Sequence, residues 1–185
     1  MKGAGGPRRH ELQGGSVEAH PLPSERPRQI AVIGSGSCQE GEEAWDLAEE
    51  VGRRLAEAGA TVVCGGRTGV MEAVARGAAG AGGTVIGIVP GPAVEEANEH
   101  CTHVVATSLG HARNLAVVSS GDAAIAIGGE WGTLSEIAFA RRLGRPVVAL
   151  RSWELDGREA MQGAPGVIPA DSAEEAVAAA LAAIA

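Results

Sequence analysis

From Ile30 onward the chain alternates between two hydrophobic patterns. The runs Ile30–Ile33, Thr61–Cys64, Thr84–Val89, His103–Ala106, Ala123–Ile127 and Val147–Leu150 are mostly apolar and rich in β-branched residues. That is the signature of strands covered on both faces, not of a half-exposed sheet. Between them, apolar residues recur at helical spacing. In Glu43–Ala58 the residues Ala44, Leu47, Ala48, Val51 and Leu55 share one face, acidic residues gather at the N-terminal end, where the helix dipole favours them, and Gly59 follows as a stop. Further helices are expected over Val70–Ala79, Leu109–Ser120, Thr133–Leu143 and Ala173–Ile184. The stretch Arg151–Asp171 reads as loop-rich, with one short edge strand near Val167.

Strands joined through helices run parallel, with right-handed crossovers. The expected fold is therefore α/β: a three-layer, Rossmann-like, doubly wound parallel sheet of six to seven strands. Every strand-to-helix turn then emerges at the carboxyl edge of the sheet, where such folds bind ligands. Residues 1–28 are rich in Gly, Pro, Arg, His and Glu without periodicity and are expected to be a disordered tail. Residues 29–185 form a single domain in this reading, which suits a chain of 185 residues.

Composition narrows the picture. Hydrophobic residues make up 45% of the chain and aromatics only 2%, with 28 Gly, so the core must be closely packed Val, Ile, Leu and Ala. A net charge of −8 and the lack of interleaved basic and aromatic residues argue against a nucleic-acid partner. No apolar run approaches the ~20 residues of a membrane span, and no signal-peptide stretch opens the chain, so a cytoplasmic location without a membrane partner is expected. Cys38, Cys64 and Cys101 form no CxxC pair, which fits a reducing compartment. His100, Cys101 and His103 lack an evident fourth ligand and read as a polar loop, so neither metal nor cofactor is expected.

Lys2 is the only lysine, so the body of the chain has no amine for a Schiff base, and pyridoxal-phosphate-dependent lysine decarboxylation is excluded. A GxxxxGK[ST] loop and a GxSxG elbow are both missing, and Gln39 stands where GxGxxG needs its third glycine.

The remaining chemistry gathers at the carboxyl edge. Three turns there are glycine-rich: Gly34-Ser35-Gly36-Ser37, Gly65-Gly66-Arg67-Thr68-Gly69 and Gly128-Gly129-Glu130-Trp131-Gly132-Thr133. Glycine lets the backbone approach a ligand, and the helix that follows each turn offers free N–H groups to an anion. Packing alone also demands glycine in tight turns, but three such turns on one edge favour a phosphate-bearing ligand. Two charged residues, Arg113 and Glu136, fall near the starts of two helices at the same edge, either to face one pocket or to form a structural ion pair.

Two stretches carry a resemblance. Cys64-Gly65-Gly66-Arg67-Thr68-Gly69-Val70-Met71 is similar to the first motif of the LONELY GUY (LOG) family. His111-Ala112-Arg113-Asn114, followed by Asp122 and Gly128-Gly129-Glu130-Trp131-Gly132-Thr133-Leu134-Ser135-Glu136, is similar to the second, an Arg-Lys or Arg-Asn pair upstream of PGGxGTxxE. The resemblance spans Ile30 to Leu150. It implies a nucleotide-binding protein that cleaves the N-glycosidic bond of nucleoside 5′-monophosphates to free base and ribose 5-phosphate. Arg113 and Glu136 would be the catalytic pair, and the glycine-threonine turn the phosphate cradle, in a homodimer or dimer of dimers. Ile127 stands where the motif has Pro, and Glu130 and Trp131 occupy a gap where the motif has one residue. This spacing is similar to that of a subgroup containing molybdenum-cofactor carrier proteins, which bind a phosphorylated pterin without cleaving it.

Overall fold

The computed structural model describes residues 26–153 and 166–185. Its strands are β1 (Gln29–Gly34), β2 (Thr61–Cys64), β3 (Val85–Val89), β4 (His103–Ala106), β5 (Ala123–Ile127), β6 (Val147–Leu150) and β7 (Ile168–Ala170). All pairings are parallel, in the order β4-β3-β2-β1-β5-β6-β7. The expected doubly wound sheet is therefore present, with seven strands. The chain runs outward from β1 through β2, β3 and β4, then returns to lay β5 on the other side of β1. The switch point lies between β1 and β5, where Gly34 is in register with Ile127.

Strand residues alternate between two cores. Ile30, Val32, Val62, Cys64, Ile125 and Ile127 pack under α1 (Glu43–Glu57), α2 (Val70–Gly80) and α5 (Ala173–Ala182). Ala31, Ile33, Val63, Ala124 and Ala126 pack under α3 (Arg113–Ser120) and α4 (Trp131–Arg142). With both faces of the central strands covered, the continuous apolar runs in the sequence have their physical explanation.

Helices α1 and α2 touch backbone to backbone. A Cβ on Gly52 would overlap the carbonyl of Val74, and one on Gly77 would overlap the carbonyl of Glu49. Beside this crossing, Arg76 bonds Glu49 at 2.7 Å and stacks over the buried Trp45 ring at 5.0 Å.

Two expected helix starts shift. The helix expected from Leu109 opens instead as a 3-10 turn, Gly110–Ala112, and α3 proper begins at Arg113. Helix α4 starts earlier than expected, at Trp131. The expected tail has its last residues placed against the domain: Arg26 pairs with Asp122, whose Oδ2 also accepts the Gln29 amide at 2.9 Å, and Arg28 donates to the Leu181 carbonyl at 3.2 Å. The Arg26 hydrogen bond and charge hold the Asp122 carboxyl below its usual range. The rest of that tail, residues 1–25, lies outside the described residues. No helix among the described residues is long and apolar enough to cross a membrane.

Candidate functional site

The carboxyl ends of β2, β1 and β5 lie side by side, which brings the three glycine-rich turns to one edge. Their glycines do different work. Gly34 is closed in by the Ile127 carbonyl, 2.6 Å from where a Cβ would sit, and by the Val70 side chain, so its identity follows from packing. Gly69, at φ +68, lets the second turn dock on the first: a Cβ would strike the Ser35 carbonyl, which accepts the Val70 amide at 2.9 Å. Thr68 adds a hydrogen bond from its hydroxyl to the Gly36 carbonyl at 2.9 Å. Gly128 at φ +55 and Gly129 at φ +139 shape the third turn, and few residues other than glycine adopt the second of these values.

A cleft of about 560 Å³, counted with its open mouth, lies between these turns and the start of α3. Of the residues singled out in the sequence, Gly34, Ser35, Gly36, Gly65, Arg113, Glu130, Gly132, Thr133 and Glu136 line it. Gly66, Arg67, Thr68, Gly128, Gly129 and Trp131 do not. Gly66 packs on Gly87 and gives its carbonyl to the Asn98 amide, while the Arg67 carbonyl accepts from the Asn98 side chain at 2.8 Å. These contacts brace the second turn from behind. Trp131 is 78% exposed at the rim, its ring 5.7 Å from that of Trp153. Asp122, part of the second motif, sits before β5 at the opposite edge of the sheet and is remote from the cleft.

At the cleft floor Arg113 and Glu136 converge. One is the first residue of α3 and the other lies in the second turn of α4, and both side chains are largely buried. Their nearest approach, Nη1 to Oε1, is 3.8 Å, too long for a hydrogen bond. The guanidinium instead rests on Gly65 and reaches the Met71 sulfur at 3.8 Å. Burial pushes the Glu136 carboxyl up to about 7, against the pull of Arg113. Burial also lowers Arg113 from its ordinary value, opposed by Glu136. The pair is thus desolvated but not locked, with polar groups left for a ligand to satisfy. His111 and Asn114 join the lining from the same motif, and Met71 joins it from α2.

The cleft mouth holds a contact that the sequence did not disclose. Glu130 Oε1 accepts from Ser35 Oγ at 2.7 Å and from Ser37 Oγ at 2.8 Å, tying the third turn to the first. These hydrogen bonds lower the Glu130 carboxyl from its ordinary value. Among the described residues, no group of three or more His, Cys, Asp or Glu side chains is placed to hold a metal ion.

A doubly wound parallel sheet with glycine turns at the switch point defines a Rossmann-type domain, with the buried Arg–Glu pair lying at its ligand edge. The chain belongs to the SLOG cluster4 family, whose model matches residues 27–177. An uncharacterized protein of Archaeoglobus fulgidus is 45% identical over 123 residues, 66% of this chain and 80% of that protein. A cytokinin riboside 5′-monophosphate phosphoribohydrolase of Rhodococcoides fascians is 34% identical over 125 residues, 65% of this chain. That match spans 61% of the hydrolase, less than two thirds of its length. Among solved structures, the molybdenum cofactor binding protein of Rippkaea orientalis superposes with a TM-score of 0.76 at 32% identity, covering 88% of this chain and all of that one.

Proposed function

We propose that this protein hydrolyses the N-glycosidic bond of a nucleoside 5′-monophosphate, releasing free base and ribose 5-phosphate. The observation that carries the reading is the buried carboxyl of Glu136, 3.8 Å from the Arg113 guanidinium and raised to about 7 by burial. In this mechanism the phosphate rests on the first-turn N–H groups of α4, which Glu130 does not cap, and on the hydroxyls of the first turn. Arg113 orients the sugar-phosphate. Ionised Glu136 accepts hydrogen bonds from the ribose hydroxyls and stabilises positive charge developing at C1′ as the bond to the base breaks. Water adds to C1′ and gives one proton to Glu136, and that proton is passed on to the nitrogen that held the sugar, so the base departs protonated and Glu136 is again ionised.

The decisive experiment incubates purified protein with a panel of nucleoside 5′-monophosphates and follows released base by chromatography, with Glu136→Gln as control. Turnover that falls by roughly 10²-fold or more in the variant supports the reading. Release of no base by the wild type overturns it.

A second reading, a carrier for a phosphorylated cofactor, is favoured by the full-length match to the Rippkaea orientalis protein. It requires binding without cleavage, so the same experiment separates the two. In either case a homodimer through α3 and α4 is proposed, with Leu115, Phe139 and Leu143 exposed on those helices or at their ends as the surface to be covered.

A further inference from the structure

The geometry points to Glu130 as a built-in occupant of the anion seat: its carboxylate, held by the hydroxyls of Ser35 and Ser37, must be displaced before a phosphate group can bind. The inference rests on the proposed reading of the cleft as a phosphate site.

Glu130 immediately precedes α4, at the position where a side chain commonly caps the helix. It makes no such cap. Its backbone is extended, φ −116 and ψ −173, and the side chain turns across the mouth to the other turn. Among the described residues the first-turn N–H groups of α4 therefore have no side-chain partner, while the carboxylate stands near the positive end of the helix dipole, as a bound anion would.

The contact consumes the hydroxyl protons of the first turn. Ser35 Oγ and Ser37 Oγ lie 2.7 Å from each other and at 2.7 and 2.8 Å from the same carboxylate oxygen. Each hydroxyl has one proton to give. Both are pledged to Glu130 or to each other, and neither is free for an incoming oxyanion. The Ser37 amide, 3.1 Å from Ser35 Oγ, is likewise engaged. Only Oε1 of Glu130 is used, and Oε2 makes no hydrogen bond among the described residues.

Charge settles that the two anions exclude each other. Among the described residues the one guanidinium lining the cleft, Arg113, already faces the Glu136 carboxyl, and no lysine lines it. A phosphate dianion seated on the same hydroxyls would meet Glu130 at hydrogen-bonding range, where like charges repel strongly. Because Glu130 is an exposed side chain on a flexible stem, it can rotate into solvent and give up its place. Affinity for phosphate is then lowered by the competition, and ligands that present hydrogen-bond donors to the mouth are tolerated better than a bare anion.

The test titrates inorganic phosphate, sulfate and adenosine 5′-monophosphate calorimetrically into wild type, Glu130→Gln and Glu130→Ala, after circular dichroism has established that all three fold alike. Gains of at least about tenfold in affinity for all three probes in both variants are expected, because the amide keeps the shape but loses the charge. Unchanged or weaker binding in the variants, with measurable binding by wild type, overturns the role of Glu130 and leaves the phosphate reading standing. Failure of all three proteins to bind any probe overturns the phosphate reading, and this inference with it.

Discussion

The Arg113 guanidinium lies on Gly65, so close that a Cβ at that position would be 2.5 Å from Nη1 and 2.7 Å from Nη2. Gly65 has no positive φ, so a methyl group is compatible with its backbone but not with the guanidinium above it. Gly65→Ala is expected to push Arg113 away from its place while the sheet remains intact. Base release should then lose about tenfold or more in kcat/KM, a loss typical of a misplaced group, with a small change in melting temperature. Steady-state kinetics alongside thermal melts check this.

The pH dependence of turnover should carry the signature of Glu136. With its carboxyl raised to about 7 and the ionised form assigned to the reaction, kcat/KM is expected to climb as pH rises and to level off above that value. Arg113→Ala removes the cation that pulls the carboxyl down, so the climb should move to higher pH. A pH–rate profile of both proteins decides it.

The same carboxyl sets a stability trend of definite sign. Its pKa is raised from the ordinary 4.5 to about 7 on folding, so between these values the native state binds the proton more tightly than the unfolded chain. Stability contributed by the neutral form is therefore lost as pH rises through that window, and the full penalty applies above it. Glu136→Gln should be more stable than wild type near about pH 8, by on the order of 1–3 kcal/mol, and gain nothing near about pH 4. Urea denaturation at the two pH values measures the difference.

Two glycines of the third turn should respond differently to substitution. A Cβ on Gly132 meets nothing within 4 Å, so Gly132→Ala is expected to leave the melting temperature unchanged and to affect only a ligand lying on that turn. Gly129, at φ +139, would place a Cβ 3.0 Å from the Thr133 side chain. Gly129→Val is therefore expected to cost roughly 1–3 kcal/mol of stability in addition to any ligand binding. Thermal melts with and without phosphate separate the two effects.

Much of the scaffold was legible because its strands are short, apolar and bounded by turns. Thr61–Cys64, His103–Ala106, Ala123–Ile127 and Val147–Leu150 carry the expected bounds. The 3-10 turn before Arg113 was not legible from the apolar spacing, which runs on through Gly110, although that glycine, at φ +55, leaves the helical conformation there. Motif spacing brought Arg113 and Glu136 to one place, yet could not give their separation, which depends on how far α3 and α4 stand apart over the small β5 alanines. The Glu130–Ser35 hydrogen bond joins residues 95 positions apart in two loops, where no periodicity exists to be read. Gly34 and Gly69 looked like ligand-facing glycines, and in the structure their lack of a side chain answers first to neighbouring backbone and side chains.

The glycine crossing of α1 and α2 bears on the cleft from a distance. Most helix pairs are separated by side chains that can change rotamer and absorb a disturbance. At Gly52 and Gly77 the two backbones meet directly, so this joint has no soft layer. The turn that begins each helix carries cleft residues, Ser35 and Gly36 before α1 and Gly65 before α2. The gap between those turns is thus gauged by main-chain atoms lying well away from any ligand. A single methyl at Gly77 would be felt at the mouth as a change of aperture, with no ligand-contacting residue altered.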